Sequence, residues 1–327
     1  MDGIDFLSTD RYSALGDCPV IVVPAADWRA PASPVQAVVI GIDAAGTLPP
    51  IEPDCFDILL TSASDAGAPW VCVPPDRIEE AADALAQAVR ANPVAATVLA
   101  GVVRATAGIP ANSAIAVESM AYSALLGGAE FRRWRERSVL PPAATGVGKV
   151  SCAYDEDGVV LSLASPETRN AMTAAMRDAL YEALANTLDD PTRPFVTVRG
   201  AGRCFSSGGD LGEFGTATDL SLAHVIRTAR SCAGALMALG ERATVEFHGA
   251  SIGSGLEIGA AAARRIARRG AWFQLPELRM GLIPGAGGTV TLPRAVGRHR
   301  TMWLALSGRR IGAEQALAWG LVREVRE

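Results

Sequence analysis

The sequence predicts an α/β protein in which a layer of helices precedes the main strand-and-helix core. Three observations lead there. Short apolar runs separated by Pro- and Gly-rich loops fill residues 1–74, and four helical segments follow over 75–138 with no strand between them. Strand, glycine-rich loop and helix then alternate over 149–327, beyond a Pro-, Ala- and Gly-rich linker at 139–148. The length of 327 residues suits about two domains. With 49% hydrophobic and 20% charged residues, sizeable buried cores are available.

In the first region, residues 19–23, 37–42, 56–60 and 70–73 are rich in Val, Ile, Leu and aromatics. Their nearly continuous apolar runs predict strands covered on both faces. Asp76, with Glu79 three residues on, predicts a capping-box start to a first helix, and Ile78, Ala82, Leu85 and Val89 share one of its faces. Asn92 before Pro93 is an N-cap and first-turn pair for a second helix, stopping near Gly108. A third helix is expected over 112–126 and a fourth over 131–137. Past the linker, residues 150–154 and 159–163 flank Asp155-Glu156-Asp157-Gly158, a hairpin with an Asp-Gly turn. Asn170 is expected to cap a helix with Met172, Met176, Leu180 and Leu184 near one face. Residues 195–198 form a buried strand running into a glycine loop, and the pattern repeats after 245–247.

Composition excludes several classes of function. A net charge of −5 gives no footprint for nucleic acid. The basic clusters at Arg132-Arg133-Trp134-Arg135, Arg264-Arg265 with Arg268-Arg269, and Arg309-Arg310 read as solvated faces or anchors for a small anion. Six scattered cysteines without a C-x-x-C pair, and three histidines, offer no metal site and fit a reducing cytoplasm. The polar first ten residues predict no signal peptide, and no apolar run approaches the ~18 residues needed to span a bilayer. A cytoplasmic protein without a membrane partner is expected.

Chemistry is concentrated in three glycine-rich segments, at 200–210, 248–257 and 276–288. Taken singly, each supports only tight turns. Glu257 alone would be a charge near a helix start, and Glu277 alone a surface loop residue. Read in order they carry Cys204-Phe205-Ser206-Ser207-Gly208-Gly209-Asp210, then Gly253-Ser254-Gly255-Leu256-Glu257, then Pro276-Glu277 leading to Pro284-Gly285-Ala286-Gly287-Gly288-Thr289. Pro166-Glu167-Thr168-Arg169-Asn170-Ala171-Met172 precedes them, and Leu306-Ser307-Gly308-Arg309-Arg310-Ile311 and Ala318-Trp319-Gly320-Leu321-Val322 close the series.

Together these motifs resemble the enoyl-CoA hydratase/isomerase (crotonase) superfamily from about residue 149 to 325. The resemblance implies a crotonase-like spiral core of ββα units with a helical layer. It further implies that backbone N–H groups of Ser207 and Ser254 bind a thioester oxygen, and that Glu257 and Glu277 flank a water as an acid/base pair. Arg203, Phe205, Ser206, Gly208, Asp210, Gly253 and Gly285 would contact the acyl-CoA. Coenzyme A would enter as part of the substrate, with no metal or other cofactor, in a homo-oligomeric trimer or hexamer serving fatty acid metabolism. Three positions depart from the family: Ser254 where glycine is usual, Ala263 for a common aspartate, and Arg242 for a frequent proline. The family's helical layer normally follows its core, whereas here the segment 73–134 that resembles it comes first, the likeness resting on helix lengths and on Val117-Glu118-Ser119-Met120-Ala121-Tyr122-Ser123-Ala124-Leu125-Leu126. A circularly permuted or partly duplicated chain is therefore expected, with residues 1–74 a remnant of a core sheet; an unrelated fused α/β domain is the alternative. Two glutamates favour hydration of a 2-enoyl-CoA over double-bond isomerisation. Two further readings stay open: a serine hydrolase using Ser251 of Gly249-Ala250-Ser251-Ile252-Gly253 with His299, and a non-catalytic scaffold subunit.

Overall fold

The computed structural model describes residues 6–29, 35–144, 148–156 and 158–327. The first four strands are β1 (Val20–Pro24), β2 (Val38–Asp43), β3 (Ile58–Thr61) and β4 (Val71–Cys72), which pair in parallel in chain order. Period-2 alternation divides their side chains between two faces. Ile21, Val23, Val39 and Leu59 pack with Trp28, Phe56 and Trp70 in a small core, while Val20, Val38, Ile40, Ile58 and Leu60 turn toward the rest of the molecule. Both faces are thus covered, as the apolar runs predict.

The helical layer consists of α1 (Ile78–Ala91), α2 (Pro93–Ala105), α3 (Ala111–Leu126) and α4 (Ala129–Arg137). Its helix starts differ from expectation. Asp76 sits in a 3-10 turn and makes no cap; the residue before α1, Arg77, instead pairs with Glu80 at 3.0 Å. Asn92 does precede α2, but its carboxamide donates to Leu278 O at 2.9 Å. The first α2 N–H groups, of Val94 and Ala95, donate instead to the Glu130 carboxylate from α4, each at 2.9 Å.

The second region runs β5 (Val150–Asp155), β6 (Gly158–Leu163), α5 (Ala174–Asp189), β7 (Val196–Gly200), α6 (Leu220–Ala229), α7 (Cys232–Leu239), β8 (Ala243–Phe247) and β9 (Ala250–Ile252). It continues through α8 (Ser254–Gly259), β10 (Arg264–Arg268), β11 (Trp272–Gln274), α9 (Gly288–Val296), α10 (Arg298–Ser307), β12 (Ile311–Gly312), α11 (Ala313–Ala318) and β13 (Glu324–Arg326). A six-stranded sheet has the order β13-β10-β8-β7-β6-β5, parallel except for the β5–β6 hairpin, and a three-stranded sheet has the order β12-β11-β9. The expected Asp-Gly turn includes Asp157, and the expected linker includes 145–147; both lie outside the described residues.

Asn170 does not cap a helix. It lies in a turn at φ +51°, and α5 is capped by Thr173, whose hydroxyl accepts from Met176 N–H at 3.0 Å. The fully buried Asn170 side chain accepts from Ser165 N–H and donates toward the carbonyls of Ala201, Cys204 and Phe205, fastening this turn to the first glycine loop. Met172 correspondingly bridges to Gly209 and is not helical.

The helical layer lies on the second region. Helix α3 packs against α6 and α9, α2 against α9 and α10, and α4 against the turn Glu277–Met280. One hydrophobic core runs from Val38 and Ile40 through Leu85 and Leu99 to Phe247, Leu292 and Leu304. Among the described residues no helix is long and apolar enough to cross a membrane.

Candidate active site

The second glycine loop turns from β9 into α8 through Gly253, at φ +47°. Its N–H donates to Gln274 O at 2.9 Å, and an added Cβ would lie 2.5 Å from Glu277 Oε1, so only glycine lets that carboxylate close on the turn. One helical turn later Glu257 is 2% exposed, and its Oε2 accepts from Ala286 N–H at 2.7 Å and Gly288 N–H at 3.0 Å. Close packing of the third loop makes this possible, because a Cβ on Gly288 would sit 2.6 Å from Glu257 Cγ. Glu277 opens the 3-10 turn after Pro276 and is buried, and among the described residues its Oε2 has no partner.

A third carboxylate joins them from the helical layer. Glu118 on α3 is 1% exposed and accepts from Gly287 N–H, Thr289 N–H and Thr289 Oγ1–H, each at 2.7 Å. Burial pushes Glu277 up to about 8, with Glu118 adding to the rise. Burial, then Glu277, then Glu118 lift Glu257 well above the usual carboxylate range, against its two N–H donors. Burial also lifts Glu118 to about 7, opposed by its three hydrogen bonds and by Arg227. Nearby Tyr122, also on α3, is pushed up by burial. The three glutamates and Tyr122 share a pocket of about 230 Å³.

Two further residues of the pocket lining carry backbone N–H donors. A parallel bridge aligns Ser206 with Ser251, through Ser206 N–H to Ala250 O and Ile252 N–H to Ser206 O, both 3.1 Å. Three residues beyond this register on each chain stand Gly209 and Ser254, both lining the pocket. Among the described residues neither of their N–H groups has an acceptor: Met172 engages the flanking Gly208 carbonyl and Asp210 N–H, and Ser254 is the first residue of α8. Ser207 does not fit the expected donor role. Its N–H is taken by Arg169 O at 3.0 Å, and it does not line the pocket. Ser254 keeps an ordinary negative φ, so its side chain brings no backbone strain, although its Oγ is buried without a partner.

The other expected contacts divide. Asp210 and Gly285 line the pocket; Asp210 accepts from Gly212 N–H at 2.8 Å and Glu213 N–H at 3.2 Å, shaping the turn after the first loop. Arg203 is exposed away from the pocket, and Phe205 is a core residue set edge-on to Phe247 at 5.0 Å. Ser206 is fully buried, its hydroxyl donating to Asn170 O at 2.8 Å. Gly208 at φ +90° and Gly253 serve close packing. Ser251 lies fully buried within β9 with no partner for Oγ, whereas His299 donates from Nε2 to Pro53 O at 2.9 Å, so no Ser–His pair forms. Glu118, Tyr122 and Gly209 fall within the quoted segments but are not site candidates from sequence, and Arg227 carries no motif at all. Glu118 left one local sign: it is the lone charged residue of the sixteen in α3.

The sequence pattern of the enoyl-CoA hydratase/isomerase family matches residues 156–326. A probable enoyl-CoA hydratase of Rhodobacter capsulatus is 39% identical over 166 residues, covering 50% of this chain and 63% of that protein. The 1,2-epoxyphenylacetyl-CoA isomerase of Escherichia coli is 36% identical over 179 residues, covering 53% and 68% respectively. An enoyl-CoA hydratase structure from Bacillus anthracis aligns with TM-score 0.50 and 31% identity over 54% of this chain and 69% of that one. The chain thus spans about two thirds of the length of each relative.

Proposed function

The chain belongs to the enoyl-CoA hydratase/isomerase family, and from that premise we propose that it adds water across the 2,3-double bond of an enoyl-coenzyme A thioester, or catalyses the reverse dehydration. The observation that carries this reading is the convergence of two buried carboxylates, Glu257 and Glu277, with two unengaged N–H groups, of Gly209 and Ser254, on one pocket. The thioester oxygen accepts from the two N–H groups, which draws electrons from the β-carbon and holds the enolate charge after attack. Donors placed this way contribute about 3–4 kcal/mol each to the transition state. Water oxygen bonds to the β-carbon as its proton passes to Glu257. Against the burial that raises it, the N–H groups of Ala286 and Gly288 stabilise the ionised form in which Glu257 acts as the base. Glu277, protonated through burial, delivers a proton to the α-carbon. Return of a proton from Glu257 to Glu277 resets the pair, so the water is consumed whole, and this sequence of steps calls for no metal or redox cofactor.

The test is incubation with a panel of short 2-enoyl-CoAs, followed by loss of the conjugated-thioester absorbance and by mass. Gain of one water supports the proposal. Unchanged mass with a migrated double bond would replace it with isomerisation, and no change in any substrate would overturn it.

A further inference from the structure

Resting on the thioester reading, we propose that the acyl chain of the substrate ends in a carboxylate, gripped by Arg227 with Arg177 beside it, at the end of the pocket remote from Glu257 and Glu277. Arg177 stands in the first turn of α5, Arg227 in the last turn of α6 and Arg230 just beyond, and all three line the pocket. Arg177 and Arg230 share Asp178, at 2.8 and 3.0 Å. Arg227 has no such partner: among the described residues no carboxylate pairs with it. Its Nε donates to Ser119 Oγ at 3.1 Å, its Nη2 to Ser119 O at 3.3 Å and to Ser123 Oγ, and the guanidinium lies 5.1 Å from the Tyr122 ring centre. Among the described residues no acceptor engages Nη1. A half-buried guanidinium held by hydroxyl and carbonyl oxygens, with no carboxylate paired to it, gains from an anion that completes it, and its fork matches a carboxylate.

The acids around Arg227 are already engaged. Glu118 is saturated by the start of α9, Asp210 by Gly212 and Glu213 N–H, and Glu213 Oε2 by Ala174 N–H at 2.8 Å. Tyr122 links Arg227 to the glutamate end: the guanidinium is 5.1 Å from its ring centre, and the ring packs against Gly285, next to Ala286, whose N–H donates to Glu257. Ile115, Met172, Phe214 and Ile258 give the pocket apolar lining as well. At about 230 Å³ the pocket falls below the usual ~300–1,000 Å³ of ligand sites, so it suits a short chain.

Paired substrates test this in the full-length protein: trans-2-pentenoyl-CoA against glutaconyl-CoA for turnover, and valeryl-CoA against glutaryl-CoA for calorimetric binding. The wild type is expected to prefer the carboxylate-bearing member in both pairs. Arg227→Gln is expected to cut each preference by about tenfold or more, and Arg227→Lys, which keeps the charge and supports folding, by less. A wild type without the preference overturns the proposal. So does an Arg227→Gln effect equal on both members, which would leave the arginine a clip between α6 and α3. Because the binding pair needs no turnover, absent hydration with a retained glutaryl preference would remove the reaction and leave this site. Hydration without preference would do the reverse. The preference should persist with pantetheine thioesters; its loss there would assign the anion to the coenzyme A phosphates and overturn the proposal.

Discussion

At Ser254 the backbone and the side chain make separate offers to the site. The N–H is unengaged at the start of α8, and the hydroxyl is buried without a partner. Oxyanion binding by the N–H predicts that Ser254→Ala, which removes only the hydroxyl, leaves kcat within about threefold. Loss of a genuine oxyanion donor costs about 10²–10³ instead, so a fall of that size in steady-state kinetics would transfer the role to Oγ. Glu257 and Glu277 were legible because each belongs to a glycine-rich motif whose neighbours must be small for the loops to close, as Gly253 against Glu277 and Gly288 against Glu257 demonstrate. The first-loop donor was not. Nothing within Ser206-Ser207-Gly208-Gly209 says which N–H an outside carbonyl will take, and Arg169, in a turn at φ +58°, takes that of Ser207.

Helices in this protein borrow caps from one another. Glu118 on α3 closes the start of α9, and Glu130 on α4 closes the start of α2. Glu118→Ala strands two buried N–H groups and a hydroxyl, and should lower unfolding stability by roughly 2–4 kcal/mol in urea titrations, more than the ~1–2 kcal/mol for Glu130→Ala. A loss below about 0.5 kcal/mol for Glu118→Ala would show that water or rearrangement satisfies those donors. Local pattern located all four helices of the layer to within a few residues, because apolar periodicity is a property of the helix itself. Caps differ from expectation at three places: Asp76 falls in a 3-10 turn ahead of α1, the distant Glu130 takes the α2 N–H groups in place of Asn92, and Asn170 turns to the first glycine loop while Thr173 caps α5.

Across the whole molecule, the helical layer and the second region share a core, and the layer delivers Glu118 and Tyr122 into the pocket. The rearranged chain order remains our proposal, and the packing of α3 on α9 is the contact it requires. Sequence runs marked the N-terminal strands, but not that Val38 and Ile40 would join the core beneath α1 and α2, since a run carries no record of its partner. Concentrating three buried carboxyls also sets a pH dependence. An unfolded glutamate releases its proton near 4.5, whereas Glu118 and Glu277 hold theirs to about 7 and about 8. Between those values the folded protein binds more protons than the unfolded chain, so stability falls as pH rises from 4.5 toward 8. The slope is at most about 1.4 kcal/mol per pH unit for each such carboxyl. Urea midpoints should drop from pH 5 to pH 8, and drop less in Glu277→Gln; an equal drop in both would place the proton elsewhere.

The carboxylate pair is tested most directly by kcat for hydration of the best-used 2-enoyl-CoA in wild type, Glu257→Gln and Glu277→Gln. Each substitution is expected to lower kcat by about 10²–10⁴ while thioester binding changes only a few-fold. Either variant retaining kcat within about tenfold of wild type would contradict the two-carboxylate mechanism.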